Sequence, residues 1–316
     1  MKMKRHICVL LVLFLMLIFS ACAQESASGG GKGQDKPVIV TCAFPEYDWV
    51  RRLLDGCSDK AEVVLLLDNG ADLHNYQPSA EDVVRIAECD MLVYVGGESE
   101  EWVEDILYDQ AVRPYRVVKL MRVLYDRLQE VEDGDRKEND EHVWLSLTNA
   151  KISCEAIAEG LADLLPDDRR HIESNLEQYV SRLEELDGRY AAAVEQGDTR
   201  MLVFADRFPF RYMARDYSLS CHAAFRGCRA ETEASFETVI ALAGLVDANG
   251  LKHIVITETS DGKIAEAVKD ATASGDRDIV VLDSMQSKTA RDILNGVTYM
   301  DTMERNLEAL KTALTK

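Results

Sequence analysis

Short apolar runs rich in β-branched residues recur along the chain, separated by longer stretches of helical periodicity. Residues 38–43, 63–66, 91–95 and 117–120 form a first set, and 201–204, 218–223, 253–257 and 279–282 a second. Runs this short and apolar read as strands of parallel sheets covered on both faces. Between them, segments 47–54, 79–88, 235–249 and 262–273 carry helical patterns. Ser79 and Asp82 have the spacing of a capping box at the start of one such helix. Strands alternating with helices predict an α/β fold of two lobes, each a roughly four-stranded parallel sheet flanked by helices.

One segment differs. Over 167–198 the apolar positions Ile172, Leu176, Tyr179, Leu183 and Leu186 are spaced 4, 3, 4 and 3, which is one face of a long amphipathic helix. Pro166 marks its boundary, and Asp167 and Asp168 suit the positive end of the helix dipole. At 1.5 Å per residue such a helix reaches about 48 Å. The organisation is then an N-terminal lobe over 37–166, a linking helix over 167–198 and a C-terminal lobe over 199–316. A rigid helical link restricts hinge motion between the lobes.

The N-terminus has another character. Lys2, Lys4 and Arg5 precede an apolar run over 7–19, which ends in Ser20-Ala21-Cys22. A basic start, a short apolar stretch and a small-residue site form an export signal, here 1–21. The run is shorter than the roughly 20 residues that span a membrane. A cysteine directly after the small pair resembles the lipobox of bacterial lipoproteins, so Cys22 is the expected lipidation site. Ordinary cleavage near Ala21 or Ala23 is the alternative. Residues 22–36, polar and rich in Gly and Ser, read as a flexible tether. The expected location is extracytoplasmic, lipid-anchored at the bacterial cell membrane.

The 316 residues suit about two domains, and 47% hydrophobic content can fill their cores. Against 36 Lys and Arg stand 56 Asp and Glu, a net charge of −20. Losing Lys2, Lys4 and Arg5 with the signal takes it to −23. Such a chain is repelled by phosphate backbones, which excludes nucleic acid as a partner. Of eight cysteines, Cys8 leaves with the signal and Cys22 takes lipid. Cys42, Cys57, Cys89, Cys154, Cys221 and Cys228 remain where disulfides are permitted. Cys221 and Cys228 are close enough in sequence to pair, and buried free thiols are the other reading. No CxxC pair exists, so a structural zinc knuckle is not supported.

In such folds ligands bind at the carboxyl ends of the strands, where the lobes meet. Two loops there carry histidines: Gly70-Ala71-Asp72-Leu73-His74-Asn75-Tyr76-Gln77-Pro78 and His142-Val143-Trp144-Leu145-Ser146. The second follows an acidic loop over 130–141, with seven acidic residues and no histidine, which reads as a solvated loop. His171 in the linking helix reads as solvent-facing, and His253, ahead of a strand, as structural. His222 beside Cys221 could be either structural or functional.

The first loop resembles the Gly-x-x-x-His-x-Tyr-x-Pro segment of metal-binding receptors of bacterial ABC importers, the zinc and manganese receptors of the cluster A-I type. The second resembles their His-x-Trp-x-Ser segment. Ile279-Val280-Val281-Leu282-Asp283-Ser284 is similar to the strand that ends in their metal-binding aspartate, and Tyr299-Met300-Asp301-Thr302-Met303-Glu304-Arg305-Asn306-Leu307 to their C-terminal helix. The resemblance runs from about Pro37 to Leu314. It implies a Zn²⁺ ion, with Mn²⁺ as the alternative, held between the lobes by His74, His142 and Asp283. It also implies a monomeric receptor that delivers the ion to an ABC permease and its ATPase. The fourth ligand position departs from the family. Counting back from Tyr212 places Arg207 there, and a guanidinium cannot bind a cation. Asp206, a water, or a residue such as Glu233, Glu231, His222 or Glu258 is left to fill the place, and Arg207 would pair with a carboxylate such as Glu233.

A zinc hydrolase and a surface adhesin are the competing classes. The chain has no His-Glu-x-x-His motif, no Gly-x-Ser-x-Gly elbow and no phosphate loop. The expectation is therefore a receptor, not an enzyme.

Overall fold

A computed structural model describes residues 36–108, 114, 116–133, 136–225, 227 and 234–316. The export signal, the tether up to residue 35, Cys22, Cys228, Glu231 and Glu233 lie outside the described residues. Residues 37–316 pack as one unit.

The first sheet contains β1 (Val38–Thr41), β2 (Glu62–Leu65), β3 (Met91–Tyr94) and β4 (Arg116–Lys119). A hairpin of β5 (Glu130–Asp133) and β6 (Arg136–Asn139) follows, and the second sheet contains β7 (Met201–Phe204), β8 (Ser220–Ala223), β9 (His253–Thr257) and β10 (Asp278–Leu282). Strand order is β2-β1-β3-β4 in the first and β10-β9-β7-β8 in the second. Counted from its own first strand, each sheet has the order 2-1-3-4. Every pairing within both sheets is parallel, with Val40 opposite Val64 on one side and Leu92 on the other. The central strands β3 and β9 are wholly buried, whereas the edge strand β10 exposes nearly half of Val281.

The helical patterns fold as expected. Ser79 caps Ala80–Glu88 through a capping box with Asp82. The long helix spans Arg169–Gln196 and buries Ile172, Tyr179, Leu183 and Leu186, with Leu176 half-buried on the same face. It packs against the helices Leu147–Leu164, Phe44–Leu53 and Tyr299–Ala313. Because the last of these closes the chain, one continuous apolar core runs from Ile39 to Leu314. The Tyr299 ring meets Trp49 edge-on at 5.1 Å, its backbone N–H donates to Asp48, and its hydroxyl donates to the Trp144 carbonyl. Sliding one lobe on the other would break a close-packed interior, so movement is confined to loops and small rotations.

Two local expectations are corrected. The segment 130–141 contains a two-stranded ribbon rather than a loop, with Glu132 in register with Lys137 and Asp133 with Arg136. A segment this polar lacks the apolar alternation by which strands are read. The run 218–223 starts its strand only at Ser220, because Ser218 sits in a left-handed turn at φ 54°.

Candidate metal centre

His74 follows β2. Its loop turns at Gly70, whose φ of +79° favours glycine and where a Cβ would fall 2.9 Å from the Thr289 methyl of the second lobe. Asp72 caps the next turn, accepting from the His74 N–H at 3.0 Å, and so sets the histidine backbone. His142 precedes the turn Val143–Leu145, and its backbone N–H donates to Asp140 at 2.9 Å.

The two imidazoles meet. His74 Nε2 lies 3.1 Å from His142 Nε2, with ring centroids 5.1 Å apart. His142 Nδ1 lies 2.8 Å from Asp140 Oδ1. An ionised carboxylate only accepts, so His142 carries a proton on Nδ1, and in the neutral ring its Nε2 is bare. The Asp140 carboxyl is held below its ordinary range: burial acts to raise it, but His142 and Arg211 outweigh burial. Arg211 donates to the other Asp140 oxygen at 3.2 Å, and the Tyr212 hydroxyl donates to its carbonyl at 2.6 Å. His74 is pushed down to about 4 by burial and then by His142, so it is neutral at ordinary pH. With His142 Nε2 bare, His74 donates from Nε2, and its Nδ1 accepts from Ser99 Oγ at 2.8 Å. An ion bound tetrahedrally at about 2.0–2.1 Å from two nitrogens separates them by about 3.3 Å. The observed separation is close to that.

The second lobe presents carboxylates. Asp283, at the end of β10, has its backbone clamped in both directions by Asn306. Its Oδ1 accepts from the Met285 N–H, and Met285 is held at φ 63° although it is not glycine. Its Oδ2 is paired with the Lys288 ammonium. Glu258 lies nearby, bound through both oxygens to Ser284, and is raised above its ordinary value by burial and by the charge of Asp283. Trp144 joins the two halves by donating to the Ser284 carbonyl at 2.8 Å.

Of the four residues singled out from sequence, the structure brings His74 and His142 together and holds the other two elsewhere. Asp206 Oδ2 accepts from the Thr257 backbone and hydroxyl at 2.9 and 2.6 Å, and Oδ1 from the Arg207 N–H at 2.8 Å. Those contacts fix the β7–β9 ends. Arg207 reaches the first lobe and pairs with Asp72 at 3.1 Å; the expected partner Glu233 lies outside the described residues. Among the described residues, no group of three or more His, Cys, Asp or Glu is placed to hold a metal. His222 instead lines a separate cavity with Cys221 and Arg211. His171 is exposed as expected, and additionally bonds the Asp55 carbonyl at 2.6 Å. His253 is buried as the first residue of β9. Cys42, Cys57, Cys89, Cys154 and Cys221 are free thiols.

Sequence reasoning missed Ser99, Asp140, Glu141 and Lys288. Asp140 and Glu141 were legible only as part of an acidic stretch, and Ser99 and Lys288 had no signal at all.

Two lobes of identical strand order on one backbone helix, with paired histidines at the strand ends, are the features to set beside known proteins. The chain belongs to the family described as zinc-uptake complex component A, periplasmic (ZnuA), which matches residues 39–313. It is 30% identical to the zinc-binding lipoprotein AdcA of Streptococcus pneumoniae over 97% of this chain and 60% of that protein. The chain thus spans about 60% of the length of that relative. It is 24% identical to the high-affinity zinc uptake system protein ZnuA of Bacillus subtilis, over 94% of each. The crystal structure of the Zn(II)-bound ZnuA-like domain of S. pneumoniae AdcA superposes with a TM-score of 0.72 at 29% identity, covering 88% of this chain and 99% of that domain. The family is one of extracytoplasmic transport receptors, not enzymes. Among the described residues no helix is long and apolar enough to cross a membrane.

Proposed function

We propose that the protein captures a divalent transition metal, zinc in the first place, between its lobes and delivers it to an ABC permease driven by an ATPase. His74 and His142 bind through Nε2, and Asp283 binds through the oxygen that Lys288 otherwise holds. The observation that carries this reading is the facing Nε2 pair, with both Nδ1 atoms turned to other partners. Metal-ligating histidines are oriented in this way by what their other nitrogen bonds.

Water fills the fourth position, since Asp206 is engaged by Thr257 and Arg207. Two nitrogens and one carboxylate favour Zn²⁺, and Mn²⁺, which prefers more oxygen, is the alternative cargo. Glu98, Glu101 and Asp105 border a depression of about 650 Å³ beside His74, from which a cation would approach. In this reading the lobes are 37–166 and 199–316 on the helix 167–198. The signal 1–21 is removed, Cys22 carries the lipid, and 22–36 tethers a monomer at the membrane. The test is a zinc titration of chelator-stripped protein: one equivalent binds tightly without turnover, and absence of binding would overturn the proposal.

A further inference from the structure

His74 has one nitrogen too few for its two tasks. In the metal-free arrangement it donates from Nε2 to His142 and accepts at Nδ1 from Ser99. To bind a cation, Nε2 must be bare, and the neutral ring must then carry its proton on Nδ1. One proton leaves Nε2 and one arrives at Nδ1, so the net protonation of the ring is unchanged. The Ser99 hydroxyl, which donates to Nδ1 in the metal-free state, would have to turn to accept the new Nδ1–H, and an ionised carboxylate is the stronger acceptor.

Glu141 is placed to be that acceptor. It is 8% exposed, and its Oε1 is anchored by the Ser99 N–H at 2.8 Å. Its Oε2 has no hydrogen-bond partner among the described residues and lies 3.6 Å from His74 Nδ1. That is beyond hydrogen-bond range but within a small shift of the ring. A buried carboxylate oxygen without a partner is costly, so its place beside a nitrogen that gains a proton calls for explanation. The seat is made by Gly97, where a Cβ would fall 2.6 Å from both Glu141 Cγ and Oε1.

We infer that Glu141 is a positioning residue for metal capture: its free oxygen accepts the Nδ1–H of His74 and holds that ring in the tautomer whose Nε2 can ligate the ion. Asp140 does the same for His142 already in the metal-free state, so the two adjacent acids serve one histidine each. The inference rests on His74 being a ligand, as proposed above.

Glu141→Gln tests it, since the amide can keep the Ser99 contact while turning an NH₂ donor toward Nδ1 and favouring the wrong tautomer. In a zinc titration of the chelator-stripped full chain it should weaken binding by about 10- to 100-fold. The metal-free variant should keep the wild-type fold, read by far-UV circular dichroism. In zinc-loaded wild type, ¹⁵N spectra should show a protected Nδ1–H on His74, and that signal should shift in the variant. Gly97→Ala, which displaces the Glu141 side chain, should weaken zinc as well and serves if the first variant does not fold. Wild-type affinity in both variants, or weakened affinity with an unaltered His74 signal, overturns the inference. His74→Ala in the same titration separates the two claims. Lost binding there with unchanged Glu141→Gln removes only Glu141, whereas unchanged His74→Ala removes the ligand assignment beneath it.

Discussion

His74 and His142, 68 residues apart in the chain, face one another Nε2 to Nε2 at 3.1 Å. Each ring is held from behind, by Ser99 and by Asp140. Removing a supporting partner of a metal histidine costs about 10- to 100-fold in affinity, and removing the ligand itself costs more. His74→Ala and His142→Ala should each lower zinc affinity by at least about 100-fold. Competition titration against a chelator of known affinity measures this.

The metal-free protein should lose stability on acidification through His74. An unfolded histidine takes up its proton near 6.5, whereas the folded one does so only at about 4. Between those values the unfolded chain binds more protons, so stability falls as pH falls. The carboxyls of Glu46 and Glu100 act oppositely in an overlapping window, and the variant His74→Asn isolates the histidine. Its melting temperature should decline less than that of wild type between about pH 6.5 and 4.

Lys288 is paired with Oδ2 of Asp283, the carboxylate proposed to bind the metal. An ammonium paired with a ligand carboxylate competes with the incoming cation. Lys288→Met keeps much of the side-chain volume and removes the charge, so zinc affinity should rise. An unchanged or weaker affinity in calorimetry would show that Asp283 is not drawn into the site.

Arg207 joins the lobes through Asp72, and in the proposed site its positive charge stands where the resemblance puts a fourth ligand. Arg207→Ala should tighten zinc binding by removing that charge. It should also cost about 0.5–1 kcal/mol of stability for a partly exposed ion pair. Arg207→His supplies a nitrogen donor as well and should bind zinc more tightly than Arg207→Ala. Equal affinities would place residue 207 outside the coordination sphere.

Glu46 is fully buried, and neither carboxyl oxygen has a hydrogen-bond partner among the described residues. Burial and then neighbouring Glu100 raise it well above 4.5, while Glu100 is itself raised to about 7 by burial and by Glu141. Folded carboxyls that hold their protons above the unfolded value lose stability for the protein as pH rises past about 4.5. Glu46→Leu should stabilise the protein by about 1–3 kcal/mol at neutral pH. Denaturant melts at two pH values measure both the gain and the flattened slope.

The architecture was legible because it is written in local periodicity. Strand runs, the 4-3-4-3 stripe of the linking helix and the Ser79 box follow from backbone geometry over a few residues. The hairpin over 130–139 was not legible, since its segment lacks the apolar alternation that marks a strand. His74 and His142 could be chosen because their loops carry recognisable neighbours at fixed spacing.

The sequence by itself determined two parallel sheets on one helix, an acidic chain, and two histidines at the strand ends. Only the tertiary structure decided which atoms face which. It turned the Nε2 atoms together, committed Asp206 to Thr257, put Lys288 on Asp283, sent Arg207 to Asp72 and laid a bare oxygen of Glu141 under His74. Spacing along a chain fixes which element carries a side chain. Which nitrogen or oxygen it offers is fixed by packing against residues that are distant in sequence.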